Sequence, residues 1–495
     1  MSACSTVDLL IVGGVVHTMD PRDTVIPDGG VAIRDGRIVG VDESRVLRAA
    51  HQAKTVVETS GSVILPGLVD AYGHAGHGLI RGLFDAKAGW PSGRLYWHAT
   101  TLDWWYAESM LSATERLRFG VTTGQSIVGA TPARMDSPAF AEQVARAYSR
   151  VGVRAVLGVG PPDPVFSHLE EPWSASTFDG RAWTTRTFSY EDAVRNSIDV
   201  IERWHGGSNG LVRVALAPPY LFGRHVGHRR TPHDLPTAAD ARVMLEHAAE
   251  MRDVADRYGV IVHTHMFAGS VDFALEHFGA AEIDRLLGPD VVIAHGNGLR
   301  PREVEILGEH RCSVATVAYT HENVWYGFAP VPELLDAGAN VVIATDGTAP
   351  YTSYDLLREP ARALWHQWMK HGRQDVVSHA KALRMITIDA AHALGLGSEV
   401  GSLEVGKRAD VIVLGFDRPH LTPMTSVEVL LTHYASGHDV DTVVVDGTIL
   451  MLEGKITSVD VAEVLARARE EAELAFERAD VSRYRRDGGT AEGAS

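Results

Sequence analysis

The sequence predicts an α/β protein, a TIM-like (β/α)8 barrel with a composite β-sandwich domain formed by segments from both ends of the chain. Three observations lead to this prediction. β-rich runs with Gly and Asp turns occupy both ends of the chain. Eight short apolar runs alternate with helical patterns between them, and several of these runs end in His or Asp. The active site of such a barrel lies where its strands end, so the last observation also indicates a site.

Composition narrows the class of protein. The chain has 495 residues, 45% hydrophobic and 22% charged, as is ordinary for a globular protein with a large core. The formal net charge of -17 disfavours nucleic acid as a partner, because that class needs a basic surface. Apolar runs stay below the roughly 18 residues of a membrane span, and the start lacks the basic region of a signal peptide. We expect a cytoplasmic protein that binds a small molecule, with no membrane partner.

The cysteines point away from two kinds of structure. Cys4 and Cys312 are the only two in the chain. They are too few for a disulfide framework or for a zinc site built from thiolates. A metal ion in this protein would therefore be held mainly by other side chains.

The two ends of the chain predict the β-domain. Residues 1–64 contain runs such as LLIVGGVVHTM and GGVAIRDGRIVGVD, separated by Gly and Asp turns, and residues 396–456 contain GSLEVGKRADVIVLGF and VDTVVVDGTILMLEGKI. Two such pieces can pair into one domain beside a central one. Residues 457–495 are expected to form a charged helix and a flexible tail.

Residues 65–395 are expected to form the barrel. The predicted strands are LVDAYGH, GVTTGQSIV, RAVLGVG, LVRVALAP, GVIVHTH, DVVIAHG, CSVATVA and NVVIATD. Helical patterns such as PAFAEQVARAYSRVG and ARVMLEHAAEMRDVADRYG lie between them. This alternation favours a parallel sheet that closes on itself.

Polar residues close four of these strands. His74 ends the first, His265 the fifth and His295 the sixth, and Asp346 ends the eighth. Any one histidine out of 24 is more often structural, so the prediction depends on the whole set. Imidazoles and a carboxylate from separate strands suit Zn²⁺ or a similar divalent ion. Such an ion acidifies a water and polarises a carbonyl or amidine carbon.

Neighbouring residues extend the candidate site. Side chains alternate along a strand, so Tyr72 shares a face with His74, and His263 shares one with His265. Tyr72 is therefore a further candidate ligand. The candidates for binding substrate are His77, His263, His321 and Glu322.

With these residues in place, the chain resembles the amidohydrolase superfamily, in particular the aminohydrolases and chlorohydrolases of purine-like and triazine rings. The resemblance covers about residues 7–455 and is carried by LPGLVDAYGHAGHGLIRG, HTHMFAG, IAHGNGL, IATDGTAPYTSYDLLRE and GSLEVGKRADVIVLGFD. It implies hydrolysis of a C–N bond in an amide, a urea-like compound or an amino-heterocycle. It also implies one divalent ion, for which Zn²⁺ is the preferred candidate and Fe²⁺, Mn²⁺ and Co²⁺ are alternatives. Homo-oligomers are common in the family.

The resemblance also assigns roles. His74, His265 and Asp346 match family metal ligands, and Asp346 would in addition accept a proton from the activated water. His295 matches the histidine that hydrogen-bonds the water or substrate and helps to move protons. His295 and Asp346 are thus the expected catalytic pair.

Two positions depart from the family pattern. Tyr72 stands where the first histidine of the strand-one pair is expected, and a phenol with a reference pKa near 10 is a poor ligand unless the metal lowers that value. Ala268 stands where a glutamate normally moves a proton to a ring nitrogen. The second change counts against ordinary ring deamination.

These departures leave three alternatives. The ion is held by fewer protein ligands, helped by Tyr72 or a relocated histidine; or Tyr319, His321 or Glu322 replaces the missing acid; or the protein is a metal-free binding or scaffold relative. We favour an enzyme, since the remaining histidines and Asp346 are present together. The aromatic run WPSGRLYWHATTLDWWYAES either covers a pocket for an aromatic or heterocyclic substrate or packs against the next helix or a neighbouring subunit.

Overall fold

Strands from both ends of the chain form one sheet. The structure, a computed structural model, describes residues 5–83, 92–128, 134–162, 173–222, 238–319, 327–349 and 351–481. The strands of this sheet are β1 (Ser5–His17), β2 (Val25–Arg34), β3 (Arg37–Glu43), β4 (His51–Glu58), β5 (Ser62–Pro66), β16 (Val411–Gly415), β17 (Val440–Val445), β18 (Thr448–Leu452) and β19 (Lys455–Ile456). Their order is β19-β18-β17-β16-β5-β1-β2-β3, with β4 paired to β1. The antiparallel pairing of β16 with β5 joins the late segment to the early one.

A second sheet of eight parallel strands forms the barrel. Its strands are β6 (Leu68–Asp70), β7 (Val121–Ile127), β8 (Arg154–Val159), β11 (Val212–Leu216), β12 (Val262–Phe267), β13 (Val291–Asn297), β14 (Ser313–Thr316) and β15 (Asn340–Ile343). Strands buried on both faces need nearly continuous apolar sequence. In β13 every residue is buried: Val292 and Ala294 face the interior cluster, while Val291 and Ile293 pack in the outer core.

Helices surround the barrel and support the outer sheet. They are α1 (Ser44–Ala50), α2 (Ser92–His98), α3 (Leu102–Arg118), α4 (Ala139–Val151), α5 (Tyr190–Trp204), α6 (Ala238–Tyr258), α7 (Ser270–Phe278), α8 (Ala280–Leu286), α9 (Pro301–Glu309), α10 (Val331–Asp336), α11 (Glu359–His371), α12 (His379–Arg384), α13 (Ile388–Ala393), α14 (Val427–His433) and α15 (Val461–Ala479). Their sequences fit these positions: α4 buries Phe140, Val144 and Val151 on one face and ends at Gly152, whose φ is +94°. None of these helices is both long and apolar enough to cross a membrane.

The aromatic run after the first strand is part of the core. Trp104 and Trp105 in α3 are fully buried. Trp97 in α2 stacks on Phe188 at 5.4 Å between ring centroids; Phe188 belongs to the separate hairpin β9 (Trp173–Phe178) and β10 (Trp183–Phe188). For these residues the packing alternative is therefore the one that the structure supports.

The predicted fold class is confirmed. All eight predicted barrel strands are present and occur in the predicted order. The predicted C-terminal helix is α15, which packs against α3, and the tail beyond residue 481 lies outside the described residues. The apolar runs were sufficient for this prediction because each strand is buried over most of its length.

A buried ion pair joins the barrel to the outer sheet. Arg154 begins β8, and its guanidinium lies 3.2 Å from Asp410 and 2.8 Å from Asp446. Arg154 and Asp410 side chains are each 1% exposed. Removing one partner of a buried pair leaves a charge without compensation, which costs more than the pair contributes.

We predict that Arg154→Met lowers the free energy of unfolding by about 3–5 kcal/mol, because Asp410 would stay buried without its cation. Urea unfolding and thermal melting would measure the change. The matched control is Arg373→Met, which removes an exposed pair with Asp375 and should leave the melting temperature unchanged. Equal effects in the two variants would contradict the role given to the buried pair.

Candidate active site

The predicted polar residues meet at the C-terminal rim of the barrel. Tyr72 and His74 follow β6, His265 lies in β12, His295 lies in β13, and Asp346 follows β15. Four of these side chains are at least 94% buried by residue exposure: Tyr72, His74, His295 and Asp346. Strands that run in parallel end at the same rim, which is why residues far apart in sequence converge here.

Backbone geometry aims two of these side chains. His295 has φ +73° and Asp346 has φ +61°, both in the left-handed region that residues other than glycine seldom adopt. Such conformations cost of order 1–3 kcal/mol and persist where the surrounding structure enforces them. Both residues close their strands at the rim, so the unusual backbone turns the chain at the site.

The phenol oxygen of Tyr72 is the common neighbour of the cluster. It lies 2.9 Å from Nε2 of His74, 2.8 Å from Nε2 of His265 and 3.4 Å from Nε2 of His295. It also hydrogen-bonds Asp346. Burial, followed by the charge of Asp346, raises the pKa of Tyr72 well above its ordinary value.

Asp346 is the carboxylate of the cluster. Its Oδ1 lies 3.3 Å from Nε2 of His74, its Oδ2 lies 4.0 Å from Nε2 of His295, and the hydroxyl of Tyr319 donates to Oδ2 at 3.2 Å. Burial raises the pKa of Asp346 to about 7, although hydrogen bonds from Gly347, Tyr72 and Tyr319 oppose that rise.

His265 is held in one tautomer. Its Nδ1 lies 3.0 Å from the carbonyl oxygen of Pro219, which only accepts hydrogen bonds, so Nδ1 carries the proton. Burial lowers the pKa of His265 to about 4, so the ring is neutral near pH 7. Its Nε2 therefore presents a lone pair toward Tyr72, as a metal-ligating histidine does when a backbone carbonyl orients it.

The candidate substrate-binding histidines lie next to the cluster where they are described. His77 stacks on His74 with ring centroids 5.0 Å apart, and a Cβ at Gly347 would collide with its ring. His263 stacks on Tyr72 at 5.0 Å from one layer deeper in the barrel, and its ring nitrogens have no hydrogen-bond partner in the described part of the chain. Their contact with a substrate stays a prediction. His321 and Glu322 lie outside the described residues.

The position of the expected glutamate offers no acid. The N–H of Ala268 donates to the carbonyl of Asn297 at 3.1 Å. Glu303 is buried beside this turn, but its carboxylate accepts hydrogen bonds from the N–H groups of Gly269 and Val271, each at 3.0 Å. The carboxylate of Glu303 is thus occupied by backbone N–H groups. Among the described residues, the phenol of Tyr319 is the group that could replace the missing acid, because it contacts Asp346.

Several supporting residues were not predicted from the sequence. The hydroxyl of Tyr354 donates to the carbonyl of His74, and that of Tyr96 donates to the carbonyl of Gly76. Asp70 and Arg116 form a fully buried pair below the cluster. Of these residues, only Asp70 could have been found from the sequence, because Asp70, Tyr72 and His74 stand at alternate positions and so share one face of the first strand.

The fit of a divalent ion depends on Tyr72. No three His, Cys, Asp or Glu side chains of the described residues form a group able to hold a metal on their own. Adding the phenol changes this, because Tyr72 and Asp346 lie 2.9 and 3.3 Å from Nε2 of His74. Ligand atoms about 2.1 Å from one tetrahedral ion lie roughly 3.4 Å apart. One phenol proton also cannot satisfy both His265 and Asp346. The residues fit a cation if Tyr72 is a ligand.

Comparison with known proteins places the chain in a family. The profile of the Amidohydrolase family matches residues 63–450. The chain belongs to this family. A 5-methylthioadenosine/S-adenosylhomocysteine deaminase of Syntrophobacter fumaroxidans is 31% identical, over 94% of this chain and 98% of the relative. A 5'-deoxyadenosine deaminase of Methanosarcina barkeri is 29% identical over the same shares. These relatives confirm the predicted class, an amidohydrolase-type enzyme that hydrolyses C–N bonds other than peptide bonds.

Solved structures share the fold. A zinc-bound adenosine deaminase from Xanthomonas campestris has a TM-score of 0.78 and 23% identity, covering 96% of this chain and 99% of its own. A zinc complex of the atrazine chlorohydrolase from Arthrobacter aurescens has a TM-score of 0.75 and 21% identity, covering 94% of this chain and 100% of its own. At these sequence identities, the similarity shows a shared fold, the barrel with its attached β-domain.

We predict that Tyr72→Phe weakens zinc binding by about 100-fold or more, since loss of an outer hydrogen-bond partner alone costs 10- to 100-fold. Competition with a chromophoric chelator would measure the affinity. The control is Tyr258→Phe, which removes a hydroxyl that donates to Glu202. Tyr72→His, which restores the family's histidine pair, should bind zinc. Unchanged affinity in Tyr72→Phe would assign the phenol to packing or substrate contact.

Proposed function

We propose that the protein hydrolyses a C–N bond in a small nitrogen heterocycle, with one divalent ion, Zn²⁺ first, held by Tyr72, His74, His265 and Asp346. The observation that carries this proposal is the convergence of four polar side chains on the oxygen of Tyr72. The names of the two deaminase relatives refer to adenosine derivatives, which supports a nitrogen heterocycle as the substrate.

The ion would supply Lewis acidity, lowering the pKa of a water and polarising the carbon under attack. The side chains then have separate tasks. Asp346, whose carboxylate oxygens face His74 and His295, would accept the proton from the water. His295, whose Nε2 lies 4.0 Å from Oδ2 of Asp346, would orient the water or substrate. The carbonyl of Pro219 keeps Nε2 of His265 unprotonated.

Aromatic rings beside the cluster favour a planar substrate. The ring of Tyr220 lies 5.7 Å from that of His265, and Phe267 stacks on His295 at 5.1 Å. Such rings offer faces on which a heterocycle can stack. Together with the deaminase relatives, this supports an amino-heterocycle ahead of a plain amide or urea.

Tyr319 is the described candidate to replace the acid missing at Ala268. It follows β14, and its hydroxyl donates to Asp346 at 3.2 Å. A phenol in this position can pass a proton toward the substrate and recover it through Asp346. Nothing in this role requires Tyr319 to bind the ion.

We predict that Tyr319→Phe lowers kcat by about 100-fold, the lower end of what a positioned proton donor contributes, with zinc content unchanged. Steady-state kinetics and metal analysis of the same preparation would test this. A lower zinc content with normal turnover per bound ion would overturn the assignment.

The proposed function is tested by metal content and product release. Protein purified without chelator or nickel should hold about one equivalent of transition metal by plasma mass spectrometry, and His265→Ala should lose it. His277→Ala, in α7, is the control. Ammonia release from adenosine derivatives, amino-triazines, amides and ureas would then rank the substrates. No bound metal after incubation with Zn²⁺, Mn²⁺, Fe²⁺ or Co²⁺ would favour the metal-free binding alternative.

A further inference from the structure

The barrel has a seam between its first and last strands. Within the described residues, β6 and β15 share no ladder of paired residues. At the lower half of the seam, Val69 and Ile343 donate instead to the carbonyls of Ile386 and Met385, which follow α12. At the upper half, just below the active-site cluster, the N–H of Asp346 donates to the carbonyl of Tyr72 at 3.0 Å.

Asp70 bridges the upper half of this seam. Its Oδ1 accepts the N–H of Thr345 at 3.1 Å, and its Oδ2 accepts the hydroxyl of Thr345 at 2.7 Å. Asp70 stands two residues before Tyr72, and Thr345 stands directly before Asp346. The bridge therefore joins the two segments that carry the oxygen ligands of the proposed site.

Arg116, from α3, holds Asp70 in place. Its Nη2 lies 2.9 Å from Oδ2 of Asp70, and both side chains are completely buried. Its Nη1 donates to the hydroxyls of Ser126 and Tyr148 at 2.9 and 2.6 Å. The glycines beside it leave the necessary room, because a Cβ at Gly124 would lie 2.7 Å from the guanidinium carbon.

The same guanidinium also reaches the His74 segment. It lies over the ring of Tyr354, 4.0 Å from the centroid, and the hydroxyl of Tyr354 donates to the carbonyl of His74 at 2.9 Å. A Cβ at Gly73, between Tyr72 and His74, would collide with Arg116. One buried cation is thus connected to the two segments that carry Tyr72, His74 and Asp346, three of the four proposed ligands.

We propose that Asp70, Arg116 and Thr345 are positioning residues that set the separation of Tyr72 and Asp346, and thereby the affinity of the site for its cation. This inference rests on the proposed function for the identity of the ligands. A buried ion pair is a weak source of stability compared with apolar packing. Fixed hydrogen bonds are, by contrast, an effective way to hold ligands within the roughly 0.5 Å that a functional site requires.

The test compares two substitutions at one residue. Thr345→Val has the same shape but lacks the hydroxyl that donates to Asp70, while Thr345→Ser keeps it. Thr316→Val in β14 is the control, because the buried hydroxyl of Thr316 has no hydrogen-bond partner among the described residues. Three quantities are measured: zinc affinity by chelator competition, melting temperature without metal, and hydrogen exchange of the amides of Thr345 and Asp346.

We expect Thr345→Val to bind zinc about 10- to 100-fold more weakly than wild type and to exchange both seam amides faster. Thr345→Ser and Thr316→Val should match wild type in zinc affinity and in amide exchange. Without metal, all three variants should have similar melting temperatures. Equal zinc affinity and equal exchange in the Val and Ser variants would overturn the inference. So would a loss of affinity that only follows a lower melting temperature.

The two proposals fail differently. If wild-type protein binds no cation, the proposed function fails. Exchange of the Thr345 and Asp346 amides then decides whether the bridge positions the segments. Faster exchange in Thr345→Val than in Thr345→Ser would support positioning even in that case, and equal exchange would reject it.

Discussion

The closure of eight parallel strands into a barrel is the constraint on which the rest of this structure depends. Parallel strands place their carboxyl ends at one rim, so residues from positions 72, 265, 295 and 346 become neighbours. Within the described residues, β6 and β15 share no ladder, and the seam between them is bridged by backbone hydrogen bonds and by Asp70, which pairs with Arg116. The cluster lies directly above that seam, where the N–H of Asp346 donates to the carbonyl of Tyr72.

Tyr72 changes the electrostatics of the cluster. A histidine in its place would bring a neutral nitrogen donor, whereas a phenol brings an oxygen whose proton must leave before it can bind a cation strongly. Burial and Asp346 both oppose the loss of that proton. A bound divalent ion would reverse this balance, because its positive charge stabilises both oxygens together. As a ligand, Tyr72 would thus couple the charge of the site to its occupancy by the ion.

Ala268 bears on the proton that the proposed reaction would need for its leaving group. Hydrolysis of a C–N bond needs a proton for the leaving nitrogen as well as an activated water. The two phenols, Tyr72 and Tyr319, both contact Asp346. Under the proposed function, these phenols and Asp346 would do the work of the glutamate expected at position 268.

Much of the fold and part of the site could be predicted from the sequence. Strands buried on both faces must be apolar throughout, and polar residues at strand ends are local features, so the barrel, His74, His265, His295 and Asp346 could be identified from sequence patterns. Contacts between distant residues depend on the path of the chain in space. For this reason only the tertiary structure decided that the oxygen of Tyr72 meets three imidazoles, that Trp104 and Trp105 pack in the core, and that Arg116 neutralises Asp70 beneath the site.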